Sequence, residues 1–123
     1  MGTTARADIM IVEDDKIAAL DISNMVKKLG HRVCATASSG EEALESLKEI
    51  RPDLILMDIV LDGEIDGIEA VAAIMEVLDI PVIYITAHTD DATRERAGKT
   101  GASGFLSKPV DRAALETAIQ EAL

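Results

Sequence analysis

The chain has 123 residues, of which 48% are hydrophobic, so it holds one domain with a real core and is not a disordered acidic tail. Twelve Lys and Arg stand against 23 Asp and Glu, a formal net charge of −11. That balance disfavours direct binding to a nucleic-acid backbone, which needs clustered Lys and Arg, so none is expected, and it suits a protein that holds cations or docks on basic partners. Residues 1–7 have no apolar core; they are no signal peptide and read as a short frayed leader to a domain over 8–123.

The first strand is the apolar run 9–12, ending abruptly in Glu13, Asp14 and Asp15. Ala18, Ile22, Met25 and Leu29 recur at helical spacing over 16–29, and Gly30 stops that helix. A second strand falls near 32–36. It carries the only cysteine, Cys34, read as a small buried hydrophobe in a reducing compartment. Ser39 and Glu42 have the spacing of a capping box opening a second helix, with Ala43, Leu44, Leu47 and Ile50 facing inward. After Pro52, residues 54–57 form the third strand, closed by Asp53 and Asp58. It is far too short to span a membrane, so a cytoplasmic domain with no membrane insertion is expected. A polar loop over 62–67 leads to a third helix with Ile68, Val71, Ala72 and Met75 on its face. The fourth strand, 81–85, ends at Thr86. The fourth helix, about 90–100, offers only Ala92 and Ala97 for burial, which reads either as a solvated peripheral helix or as an element of low local stability of the kind used for switching. A fifth strand near 104–106 precedes Lys108 and Pro109. The last helix is capped by Asp111 and buries Leu115, Ala118, Ile119 and Ala122.

Five strand–helix units with continuous apolar strands predict an α/β fold, a doubly wound parallel sheet covered on both faces. In such sheets ligands bind outside the carboxyl ends of the strands. Those ends carry Glu13 and Asp14, then Asp58, then Thr86 and Ala87, then Lys108. Three carboxylates in one place repel unless a cation joins them. Oxygen-only ligands suit Mg²⁺, with Mn²⁺ as a substitute, rather than zinc. Asp is also a nucleophile toward phosphoryl groups, and a hydroxyl and an ammonium are fitting partners for phosphoryl oxygens. The chemistry suggested is Mg²⁺-assisted phosphoryl transfer onto an Asp.

Four segments together, Val12-Glu13-Asp14-Asp15, Met57-Asp58, Ile85-Thr86-Ala87 and the run 101–109 ending in Lys108-Pro109, resemble the receiver domain of two-component response regulators. The resemblance implies a flavodoxin-like (βα)5 sheet in the order 2-1-3-4-5. It implies Asp58 as phosphoryl acceptor, and Glu13, Asp14, Asp58 and the backbone carbonyl of Val60 as Mg²⁺ ligands. Thr86, the amide of Ala87 and Lys108 are implied to bind the phosphoryl group, Lys108 pairing with Asp58 beforehand through a Lys108-Pro109 bond that is often cis. Phe105 would follow Thr86 inward on phosphorylation, changing the face formed by the fourth helix, fifth strand and fifth helix, where a downstream protein would bind. A histidine kinase or phosphotransfer protein is the implied donor, and a phosphorylation-linked homodimer is compatible with such a switch. Val60 and His88 stand where the family tunes hydrolysis of the phospho-aspartate.

The chain departs from the family in having Asp62 where Pro is common and Gly67 one place late, so the loop after Asp58 is one residue longer, with Gly63 expected to absorb the turn. Phe105 replaces the commoner Tyr and is expected to turn inward, having no hydroxyl to solvate. Val60 cannot orient a water, so a long-lived phospho-Asp58 is expected. A haloacid-dehalogenase-type phosphatase is the alternative. It needs an Asp two residues after the nucleophile, and Val60 stands there instead. A flavodoxin-type electron carrier fails because the run 13–15 would repel the phosphate of its cofactor. The domain is thus expected to be a signalling module, not an enzyme. With the chain stopping at the fifth helix, it is either a single-domain regulator or a fragment.

Overall fold

A computed structural model describes residues 6–123; residues 1–5, most of the expected leader, lie outside the described residues. Five strands, β1 (Asp8–Val12), β2 (Arg32–Ala37), β3 (Leu54–Met57), β4 (Val82–Thr86) and β5 (Gly104–Ser107), alternate with five helices. These are α1 (Lys16–Lys28), α2 (Gly40–Ser46), α3 (Gly67–Val77), α4 (Asp91–Gly98) and α5 (Arg112–Ala122). The strands pair in parallel in the order β2-β1-β3-β4-β5, the flavodoxin-like doubly wound arrangement. Every residue of β3 and β4 is buried. Both faces of these strands are covered, so both must be apolar.

Side chains alternate across each strand, and that alternation divides the core in two. Met10, Val12, Ile55, Met57, Val82 and Tyr84 point to the side covered by α2, α3 and Ala97 of α4. Ile9, Ile11, Leu54, Leu56, Ile83 and Ile85 point to the side covered by α1 and α5 through Ile22, Val26, Leu115 and Ile119.

The structure corrects several details. Ala7, assigned to the leader, is buried. Its amide donates to Nδ1 of His31 at 3.0 Å and its carbonyl accepts from Arg32. The most buried residue of α1 is Val26, a position the expected stripe omitted. Ser39 caps α2 through the amide of Glu42, but the Glu42 carboxylate turns to the Ser38 hydroxyl, so the reciprocal half of the expected box is missing. The helix ends at Ser46, short of Ile50. The complete capping box is at α3, where Asp66 accepts from the Glu69 amide and Glu69 accepts from the Asp66 amide. On α3 Ala72 is exposed, while Ala70 and Ile74 are buried. This helix is apolar nearly all round, so its packing between α2 and the sheet, not its periodicity, selects the buried stripe. On α4 only Ala97 is buried.

Candidate functional site

The winding direction reverses between β1 and β3, leaving a crevice outside their carboxyl ends. Glu13, Asp58 and Lys108 are each held just beyond a strand end by a backbone bond that continues the ladder. The amide of Glu13 donates to the Ala37 carbonyl, that of Asp58 to Val12 and that of Lys108 to Thr86, each at 2.9 Å. Loop freedom therefore does not enter the placement of these side chains. Glu13, Asp58 and Thr86 are all buried.

Lys108 bridges two carboxylates: its ammonium donates to Oδ2 of Asp58 at 2.9 Å and to Oε1 of Glu13. The second bond was not foreseen, because residues 95 positions apart in the chain are joined only by the sheet order. The other oxygens are used as well. Oδ1 of Asp58 accepts from the Ile59 amide at 2.7 Å, and Oε2 of Glu13 accepts from the Asp15 amide at 3.1 Å. Asp15 itself caps α1 through the amides of Ile17 and Ala18, which leaves it outside the cluster. The Lys108-Pro109 bond is cis.

Burial pushes the Glu13 carboxyl up to about 7; the bonds from Lys108 and the Asp15 amide pull it back, and the neighbouring Asp58 adds to the rise. Burial works against the Lys108 ammonium, but its bonds to Glu13 and Asp58 win and hold it above the ordinary lysine value. The rise is chiefly the cost of holding a carboxylate away from water, with the Asp58 charge a smaller part. One carboxylate oxygen each from Glu13, Asp14 and Asp58 lies within 4.8 Å of the others. These are hard oxygen donors with one half-buried member facing solvent, a set that fits a small divalent cation keeping several waters.

The remaining expected residues border this cluster. Thr86 Oγ1 accepts from the backbone amide of His88 at 3.1 Å; the His88 side chain is exposed and so is Ala87. Val60, two residues past Asp58, is 49% exposed. Phe105 is half-buried, its ring centroid 6.2 Å from that of Tyr84 and its face covered by the Arg94 guanidinium at 4.6 Å. A fully solvent-facing ring is not what the structure has. The loop after Asp58 turns at Gly63, φ +92°, a conformation that favours glycine. It is pinned to α2: the Glu41 carboxylate accepts from the Glu64 amide at 2.8 Å, and Asp62 pairs with Ser39. At its end Asp66 accepts from Arg96 of α4 at 3.0 Å. The spacing of Asp66 and Glu69 could have shown the capping box; nothing local could have shown Arg96 as the third partner.

Residues 9–120 match the family model described as the response regulator receiver domain. The chain belongs to that family. The receiver is 37% identical over 115 residues to the transcriptional regulatory protein AfsQ1 of Streptomyces coelicolor, covering 94% of this chain and 50% of that protein. It is 33% identical to the chemotaxis protein CheY of Thermotoga maritima, covering 82% of this chain and 84% of that one. Among solved structures, the signal receiver domain of a modulated diguanylate cyclase from Desulfovibrio desulfuricans superposes with a TM-score of 0.89 at 35% identity, covering 96% and 94% of the two chains. The receiver spans about half the length of several curated relatives it matches. Receivers are signalling modules of two-component systems. No helix among the described residues is long and apolar enough to cross a membrane.

Proposed function

We infer that this receiver accepts a phosphoryl group on Asp58 from a phosphohistidine of a kinase or phosphotransfer protein, and that the modified domain presents a changed α4-β5-α5 face to a downstream protein. The observation that carries this reading is the Lys108 ammonium bonded to both Asp58 and Glu13, with Asp14 completing a three-carboxylate cluster.

A carboxylate oxygen of Asp58 attacks phosphorus, and the bond from phosphorus to the donor nitrogen breaks, its electron pair staying on the imidazole. Glu13, Asp14, Asp58 and the carbonyl of Val60 are the residues that would hold Mg²⁺, which when bound offsets the charge of carboxylates and phosphoryl oxygens. Lys108 is already on Asp58 and needs only a short displacement to donate to a phosphoryl oxygen. The Thr86 hydroxyl oxygen accepts from the His88 amide, and its proton is the one that would be donated to a phosphoryl oxygen. The Ala87 amide stands beside it in the chain. Drawing Thr86 toward the acceptor leaves room against Tyr84, into which Phe105 can move.

The test is incubation with Mg²⁺ and acetyl phosphate followed by intact mass. A single phosphoryl adduct on the wild type, lost in Asp58→Asn, is the expected result. No adduct, or an undiminished one in the variant, overturns the assignment.

A further inference from the structure

Helix α4 buries one side chain, Ala97, and a single methyl gives little apolar stabilisation. Polar ties supplement it. The Tyr84 and Thr100 hydroxyls hydrogen-bond at 2.9 Å just past its end. The Arg94 guanidinium lies over the Phe105 ring of β5. The Arg96 guanidinium donates to Oδ2 of Asp66 at 3.0 Å. Residues two apart on a helix point in nearly opposite directions. The two arginines therefore string α4 between β5 on one side and the loop after Asp58 on the other.

The Asp66 end of this string reaches the acceptor itself. Oδ1 of Asp66 caps α3 through the Glu69 amide at 2.8 Å, which leaves Oδ2 for Arg96. The next residue, Gly67, packs on the acceptor so closely that a Cβ there would lie 1.9 Å from the Asp58 carbonyl oxygen. Its amide donates to the Ile59 carbonyl at 2.7 Å. With no slack between Asp58 and Gly67, a shift of the acceptor backbone is passed to Asp66.

We propose that the Asp66–Arg96 ion pair couples α4 to the phosphorylation state of Asp58, holding α4 in place while Asp58 is unmodified and yielding when the loop rearranges around a phosphoryl group. The proposal rests on Asp58 being the acceptor. It adds a connection to α4 separate from that through Thr86 and Phe105. A contact made only in the unmodified arrangement stabilises that arrangement, and because the loop must leave it to reach the phosphoryl-accepting geometry, removing the contact speeds modification. The pair is partly exposed, Arg96 by 51% and Asp66 by 29%, so its effect is modest and screened by salt.

The experiment compares wild type, Arg96→Gln and Arg96→Lys, leaving Asp66 intact because it caps α3. Amide hydrogen exchange over residues 92–100 is measured without phosphodonor. Adduct formation is measured by intact mass with Mg²⁺ and acetyl phosphate at low and high salt. Arg96→Gln is expected to speed exchange in α4 and to raise the rate of adduct formation about two- to fivefold at low salt, with the difference shrinking at high salt. Arg96→Lys restores both toward wild type. Unchanged exchange in Arg96→Gln overturns the restraint on α4; faster exchange with an unchanged adduct rate overturns the coupling. No adduct on the wild type overturns the acceptor assignment, and the proposal falls with it, whatever the exchange shows.

Discussion

Individual residues in this receiver owe their chemistry to burial as much as to identity. Tyr84 is the only tyrosine and the chain has no tryptophan, so phenolate absorbance reports it alone. Burial pushes its hydroxyl above the ordinary value of 10, the bond with Thr100 pulling back part of the way. The absorbance midpoint of the folded protein is therefore expected above 10, returning to about 10 in denaturant. Because the folded value lies above the unfolded one, the unfolded chain loses its proton first, and Tyr84 costs stability as pH climbs past 10. Tyr84→Phe should flatten that alkaline fall; an identical fall in both proteins would count against the burial explanation. Val60 makes the second residue-scale prediction. Apolar and half-exposed beside Asp58, it has no group to orient an attacking water. Phospho-Asp58 in Mg²⁺ is expected to outlast a Val60→Asn variant's, followed by the decay of the adduct mass. A wild-type half-life of seconds would be the wrong outcome. Burial also lifts the thiol of Cys34, which is half-buried rather than fully buried, and so lowers its thiolate fraction.

Between elements, the first residue of α3, Gly67, lies against the backbone of Asp58 just past β3. Gly67 is needed there for closeness rather than for backbone freedom, since its φ is not positive. Gly67→Ala should destabilise by about 1–3 kcal/mol, the usual range for overpacking, and should also slow adduct formation by displacing Asp58. A urea titration and the mass assay check the two arms. Gly98, a glycine in α4, has open space around its missing Cβ, so Gly98→Ala should not destabilise and serves as the control. The helices differ in how legible they were. The sequence locates α1, α3 and α5 because each carries Leu, Ile or Val at helical spacing. The buried stripe of α3 is legible only in part: Ile68 and Val71 are buried as expected, but Ala70 and Ile74 are buried and Ala72 is exposed, because the composition allows several stripes. The thinness of α4 was readable from Ala92 and Ala97; the contacts that hold it were not, since Arg96 and Asp66 lie 30 residues apart.

At the scale of the whole molecule, the net charge of −11 separates into a buried cluster and a solvated surface. The cluster has Lys108 as its protein cation, shared between Glu13 and Asp58. A ligand that binds only the folded state stabilises it by RT ln(1 + [L]/Kd), about 1.4 kcal/mol at ten times Kd. Mg²⁺ should therefore raise the melting temperature by a few degrees beyond NaCl at equal ionic strength, and Asp14→Asn should remove most of that excess. Equal shifts with the two salts would mean general screening only.

The sequence by itself determined the α/β class, the number and order of the elements and the residues at the ends of the strands. These follow from local signals: continuous apolar runs, helical spacing, and abrupt changes from apolar to charged. It also supplied Asp58, Glu13, Asp14, Thr86 and Lys108 as a set, because a parallel sheet places every strand's carboxyl end on one rim. Tertiary structure alone decided which oxygens Lys108 holds, how far burial raises Glu13, that Gly67 lies against the Asp58 carbonyl, and that Arg96 reaches Asp66. Each of these depends on distances between segments far apart in the chain. Such distances are set by sheet order and helix packing, which no local pattern encodes.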